Sequence, residues 1–367
     1  MVVLPFAGTC IMCYNAPMET IREQINSNDR SGLFPAAYFE GFRWAVLDIE
    51  TLGLSPGRAP AILCGIVVPD DAPEAQNAPR TAQVTQFLAE SIATKEDERA
   101  MLFALEEALA DIDVLVTYNG RQFDLPYLAK RCERTQMEPM RPRYNLDVYP
   151  VVRYCTDIGQ FVPNLRQKTL EDFCGLWDGR SDEISGRESI SLYYEYLAER
   201  DEAIKAKILL HNRDDIVQLY RLTDVLRRAD MHKAAFRYGF PVRAPQPAAD
   251  SVSAGRRGPL LLVDKLELTG GQLTAAGIVS GPSFDEVRFG DEKPSWRFLD
   301  GAFTVSIPAI EHEGLLLADM DGVDAKIDPA LLTSGYVILQ QGRAIQYEHC
   351  TLLVKAILER IIEQWEM

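Results

Sequence analysis

The sequence predicts an α/β domain of five strands flanked by helices, followed by a small antiparallel β domain closed by a C-terminal helix. Three observations carry this. Apolar runs of strand length alternate with helix-period segments up to Arg228. From Leu260 to Tyr347 only short strand-like runs occur, broken by turn signals such as Gly270-Gly271 and Gln341-Gly342. Between these regions Pro241 to Gly258 is rich in Pro, Ala, Ser and Arg without periodicity, which reads as a linker. The expected divisions are a lead-in over 1–41, a first domain over 42–240, the linker over 241–258 and a second domain over 259–367.

In order, Met18 to Ile25 reads as a short helix ended by the breaker cluster Asn26 to Gly32. Strands are expected at Trp44–Thr51, Ala61–Val68, Ala82–Leu88, Asp113–Tyr118 and Arg143–Val148. Glu96–Leu109 is helical, with Met101, Leu102, Leu105 and Leu109 on one side. Asn119-Gly120 is a turn, and the helix after it runs to Cys132 with Asp124 near its start. Val148–Tyr154 reads as helical, and Thr169-Leu170-Glu171-Asp172 as a capped helix start. After the polar loop Gly179–Gly186, helices are expected over Ile190–Glu199 and Asp201–Arg228. Beyond the linker the strands are Leu260–Leu268, Gln272–Val279, Trp296–Ile307, Gly314–Asp319 and Tyr336–Tyr347. A helix over Thr351–Trp365 carries the stripe Leu353, Ile357, Ile361 and Trp365.

At 367 residues, 47% apolar and 25% charged, the chain can bury a core in each of two domains. No apolar run approaches the roughly 20 residues of a membrane span. The first charged residue is the acid Glu19, unlike the basic start of a secretory signal. Seven cysteines without regular spacing suit a reducing cytosol, so a cytoplasmic location is expected. Cys10-x-x-Cys13 has half the pattern of a zinc site, with no second ligand pair. The net charge is −16, and half of it lies from Ala244 onward, where 18 acidic residues face 10 basic ones. Any nucleic-acid contact should therefore be short and local. The second domain is expected to serve self-association or a protein partner.

The chemistry lies in an ordered set of acids. Asp48 and Glu50 end the apolar strand beginning at Trp44, and period two puts both on one face. At about 4 Å two such charges repel by roughly 4 kcal/mol at an effective dielectric of 20. A divalent cation with a preference for oxygen would neutralise them, which suits magnesium or manganese. Asp124 begins a helix, where an acid is electrostatically favoured in any case. His211 and Asp215 are four apart and share a helix face, while Asp214 points about 100° away. Four carboxylates and a base suffice for two-metal phosphodiester hydrolysis.

In Asp48-Ile49-Glu50-Thr51, Tyr118-Asn119-Gly120-x-x-Phe123-Asp124-Leu125-Pro126-Tyr127-Leu128 and His211-Asn212-x-x-Asp215-Ile216, the chain resembles the DEDD superfamily of 3′-to-5′ exonucleases. More closely, it is similar to the YprB-like branch of bacterial ribonuclease-H-like proteins. Asn145-Leu146-Asp147, Lys168-Thr169-Leu170-Glu171 and Asp182-Glu183-Ile184-Ser185-Gly186 also look alike, so the resemblance covers roughly residues 42–228. It implies a ribonuclease-H-like mixed five-stranded sheet and removal of nucleotides from single-stranded 3′ ends with two magnesium or manganese ions. Asp48, Glu50, Asp124 and Asp215 would be the ligands. Thr51, Leu52, Asn119 and Phe123 would line the substrate, DNA or RNA, and His211 would be the general base. One departure stands out, because the family's histidine branch places His five positions before the last Asp and its tyrosine branch places Tyr four before. Here a histidine occupies the tyrosine spacing. The competing functions are a non-catalytic nucleic-acid-binding module and a structure-specific nuclease on the same fold.

Overall fold

The computed structural model describes residues 18–26, 36–70, 81–176, 180–182, 184–243, 259–280, 288–290 and 293–366. Cys10-x-x-Cys13 and the breaker cluster after Asn26 lie outside these residues, as does the side chain of Trp365. The first sheet has six strands, one more than expected. Met18–Asn26 is not a helix but strand β1. It pairs antiparallel along its full length with β4 (Thr81–Ala89), from Met18 opposite Ala89 to Asn26 opposite Thr81. Ile21 and Ile25 have helical spacing, yet the open edge of β4 offers a row of unpaired backbone groups, and tertiary context decides the conformation.

The short helix α1 (Ala36–Phe39) leads into β2 (Trp44–Thr51), which pairs antiparallel with β3 (Ala61–Pro69) and parallel with β5 (Val114–Thr117). β6 (Tyr144–Asp147) continues the parallel half, so the order is β1-β4-β3-β2-β5-β6. The pleat of β2 sorts its side chains. Ala45, Leu47 and Ile49 join the core under α2 (Lys95–Ala108) and α3 (Asp124–Thr135), while Asp48 and Glu50 face the opposite side. There α4 (Val148–Cys155), α5 (Gln167–Phe173), α6 (Gly186–Glu199) and α7 (Glu202–Leu222) follow. α7 lies over β2 and β3, and Gly65 on β3 permits the approach: a Cβ there would overlap the Asn212 side chain and sit 2.9 Å from Ile216 Cδ1. α7 ends at Leu222, six residues before the expected end, and continues as a 3₁₀ turn to Arg228. α5 begins two residues before Thr169, whose hydroxyl donates to Asn164 Oδ1 instead of capping the helix.

The chain passes to the second region through α8 (Met231–Tyr238), capped by Asp230, and β7 (Phe240–Arg243). The expected linker therefore starts late: Pro241, Val242 and Arg243 pair with β8 (Leu260–Thr269), and 244–258 lie outside the described residues. β9 (Gln272–Ser280), β10 (Arg288–Gly290), β11 (Ser295–Leu299) and β12 (Ala302–Pro308) complete a second antiparallel sheet. The expected single strand Trp296–Ile307 is thus a hairpin turning at Asp300 and Gly301, both at positive φ. β13 (Ile310–His312), β14 (Leu315–Asp319), β15 (Leu332–Thr333), β16 (Tyr336–Gln341) and β17 (Ala344–Ile345) form a third sheet, and α9 (Tyr347–Glu366) closes the chain. One continuous apolar core runs from Val46 and Tyr144 through Phe240 and Leu261 to Leu353 and Ile361. Arg243 Nη2 bonds Asp113 Oδ1 at 2.8 Å, and Tyr38 reaches Thr351 at 2.6 Å across the same seam.

Candidate active site

Three elements and a loop converge on one acidic centre. β2 supplies Asp48 and Glu50, the start of α3 supplies Asp124, and α7 supplies His211 and Asp215. The turn before α3 explains how Asp124 arrives. Asn119 takes the left-handed conformation at φ 63°, which asparagine tolerates, and its amide donates to Asp147 Oδ1 at 2.7 Å. Gly120 sits where any Cβ would overlap Thr117. Phe123 then packs its ring 5.3 Å from that of Tyr127, whose hydroxyl donates to the Gly53 and Ala59 carbonyls. That contact holds the turn after β2, where Leu52 packs against the Tyr193 and Ile204 cluster and Thr51 donates to the Gly53 carbonyl.

The pairing of α7 with these strands is specific. Asn212 Nδ2 donates to Asp48 Oδ2 at 3.0 Å, while its Oδ1 accepts from Gln86 on β4. His211 is 4% exposed, with Nε2 3.4 Å from Glu50 Oε1 and 3.8 Å from Asp215 Oδ2. Its Nδ1 lies 2.7 Å from Asp182 Oδ2. With Nδ1–H donated to that carboxylate, the Nε2 lone pair faces the acids. Glu50, His211 and Asp215 each offer one ligand atom within 4.8 Å of the others, a geometry able to hold a cation.

The sequence assigns no role to the residues that fix this arrangement. Asp214 does point away from His211, as its helical phase requires, but it is buried. Its carboxylate accepts from the Ser181 and Asp182 amides at 2.5 and 2.9 Å, pinning the loop that delivers Arg180 and Asp182. Arg180 bonds Glu171 at 2.8 Å, Asp182 at 2.6 Å and Asp215 Oδ1 at 2.6 Å. Polar residues with loop composition carry no periodicity, so only the similarity of Lys168–Glu171 and Asp182–Gly186 to the family pattern marked this segment.

The electrostatics are those of an over-charged pocket. Burial pushes Asp48 well above its ordinary value, and Asp124, Asp215 and Glu50 push it further, against the Asn212 hydrogen bond. Glu50 rises from 4.5 to about 7 through burial, opposed by His211. Asp124 also rises to about 7 through burial, opposed by its own amide and that of Ile49. Burial raises Asp215 too, although His211 and Arg180 oppose it. Asp182 goes the other way: burial would raise it, but hydrogen bonds from Arg180 and His211 prevail.

This has a consequence for stability. A carboxyl whose folded pKa exceeds its unfolded value binds its proton more tightly when folded. Its contribution is then full below the unfolded pKa and lost as pH rises through the folded one. Metal-free wild type should therefore lose stability relative to Glu50→Gln between pH 4.5 and about 7, by on the order of 1–3 kcal/mol. Urea melts of both proteins in EDTA at several pH values check this, and parallel curves would refute it.

Residues 45–227 match the family model described as the RNase_H superfamily. The fold is ribonuclease-H-like. A DNA polymerase of Thermococcus aggregans is 30% identical over 135 residues, covering 30% of this chain. The chain spans only 7% of that polymerase's length. The solved family B DNA polymerase of Pyrobaculum calidifontis aligns with 51% of the chain and 24% of its own, at 18% identity and a TM-score of 0.38. Among the described residues no helix is long and apolar enough to cross a membrane.

Proposed function

We propose that the chain is a metal-dependent 3′-to-5′ exonuclease of the DEDD type, in the YprB-like branch, acting on single-stranded DNA or RNA ends. The observation that carries this reading is the convergence of Asp48, Glu50, Asp124 and Asp215, with His211 beside Glu50 and Asp215 and its other nitrogen held by Asp182. The superfamily match and the similarity to a DNA polymerase support a nuclease-type function with nucleic acid as partner. The donor set fits divalent cations: burial raises all four carboxylates, their acidic neighbours raise Asp48 and Glu50 further, and His211, Arg180, Asn212 and the Asp124 and Ile49 amides offset this only in part. Asp48, Glu50, Asp124 and Asp215 would hold two magnesium or manganese ions, which when bound stabilise charge on the attacking and leaving oxygens. His211 Nε2 takes the proton from the attacking water, and Asp182 fixes the ring and stabilises the cation formed. Tyr127 and Leu52 anchor the turn after Glu50, which keeps Thr51 and Leu52 beside the reacting end.

Incubation with 3′-labelled and 5′-labelled single strands of both sugars, with magnesium or manganese, tests the proposal. Progressive loss of the 3′ label with the 5′ label retained is expected; internal cuts would favour a structure-specific nuclease. Manganese should also raise the melting temperature. Binding to the native state alone adds about 2.7 kcal/mol at a hundredfold excess over Kd. Asp48→Asn should abolish the shift, and an unchanged wild-type melt would count against a metal centre.

A further inference from the structure

An open cleft of about 630 Å³ lies on the α4 side of the first sheet. Its chemistry is unlike that of a chain carrying −16: Tyr149, Tyr154, Arg121, Arg153 and Arg166 line it against one carboxylate, the buried Asp147, whose oxygens accept from the Asn119, Arg121 and Tyr149 amides. Arg153 is exposed and lies over the rings of Tyr149 and Tyr154, at 5.9 and 5.1 Å. Its Nη1 donates to Tyr149 Oη at 2.8 Å, which leaves the other guanidinium N–H groups for a ligand. Tyr154 is 44% exposed, and Arg237 also lies over its ring at 5.3 Å, a further cation at the cleft. Tyr118 is held by its hydroxyl on the Leu165 carbonyl and meets Tyr149 edge-on at 5.9 Å, so these rings form a fixed surface.

The cleft adjoins the acidic centre through two connections. Gln167, on its wall, donates from Nε2 to the Asp215 carbonyl at 2.9 Å. Asn119, also on its wall, starts the turn whose Phe123 and Leu125 amides bond Asn119 and Gly120 and so deliver Asp124. A strand with its end at the four acids therefore finds cations and partly exposed tyrosine rings next to it.

We propose that this cleft holds the single-stranded nucleic acid leading away from the cleaved 3′ end. Arg153 and Arg166 contact its phosphates, and bases stack on the Tyr149 and Tyr154 rings. Guanidinium groups for the backbone and aromatic faces for the bases are the two elements of sequence-tolerant single-strand binding. The inference rests on the nuclease reading for the direction of the strand.

The test is fluorescence anisotropy with a labelled twelve-residue oligothymidylate and its RNA counterpart, in calcium buffer, using full-length Asp48→Asn to block cleavage. Adding Arg153→Ala and Arg166→Ala should weaken binding at least about tenfold. It should also reduce the slope of log Kd against log salt by about 1.4, at roughly 0.7 per single-strand phosphate. Adding Tyr149→Leu and Tyr154→Leu should weaken binding with the slope unchanged. No binding by the parent, or variants that bind as the parent does, would overturn the proposal. Competition by polyglutamate as strong as by unlabelled oligonucleotide would overturn it in favour of an acidic peptide. Cleavage by wild type with unaffected binding in the variants removes the cleft alone. Sound binding at the cleft without any cleavage removes the exonuclease reading alone.

Discussion

Replacing His211 by alanine is expected to lower cleavage of a 3′-labelled single strand by at least about a hundredfold, the lower range for loss of a general base. The side chain is 4% exposed and sits between Asp182 on one nitrogen and Glu50 and Asp215 on the other. A histidine that only packed would not need a buried carboxylate to fix its ring. The same geometry permits a second role, because Nε2 could itself be a ligand alongside Glu50 and Asp215. Metal-induced stabilisation separates the two. If His211 is the base, His211→Ala keeps the rise in melting temperature with manganese and loses turnover. Should the rise disappear with the activity, His211 belongs to the ligand set. His211→Tyr should recover part of the rate, since the tyrosine branch of the exonuclease family that the sequence resembles has its tyrosine at this spacing. Near wild-type cleavage by the alanine variant would leave water activation to the metals.

The acids were legible because their spacing coincides with backbone periods. Asp48 and Glu50 alternate with Leu47 and Ile49, and the pleat sends the first pair toward α7 and the second into the core. His211 and Asp215 share a face at helical spacing, and Asn119-Gly120 announces the turn before Asp124. Arg180 and Asp182 come from a loop whose path is set by backbone hydrogen bonds to Asp214, and no periodicity encodes such bonds. Gln86 and Gly65 matter only because α7 crosses β3 and β4 there. β1 departs from its helical spacing for a related reason: that spacing is local, whereas its partner β4 is more than 50 residues away. The hairpin at Asp300-Gly301 is different, since Asp-Gly is a recognised turn signal that lies inside an otherwise strand-like stretch. The continuous core between the two regions could not be read from composition, because polarity and proline content describe the connection and not the packing on either side of it.

Arg180→Met is expected to destabilise the metal-free protein by about 3–5 kcal/mol, the usual cost of removing one partner from a buried ion network. The guanidinium side chain is 2% exposed, and the side chains of Glu171 and Asp182 are 0% and 1% exposed. Without the guanidinium, among the described residues Glu171 keeps its hydrogen bond from Gln167, and Asp182 keeps His211 and the half-exposed Lys168. Urea melts in EDTA measure the loss. Adding Glu171→Gln should recover part of it, because the amide removes one stranded charge while keeping the shape. A double variant whose losses simply add would refute the charge argument and leave lost packing as the cause. Arg180→Lys should fall between, restoring the charge without the planar fork that reaches three carboxylates at once. The network also touches the proposed metal centre, since Arg180 occupies Asp215 Oδ1 and leaves Oδ2 facing His211. Manganese should consequently stabilise Arg180→Met more than it stabilises wild type, the cation offsetting charge that the arginine no longer neutralises. A smaller manganese shift in the variant would mean that the guanidinium orients Asp215 for the metal and does not compete with it.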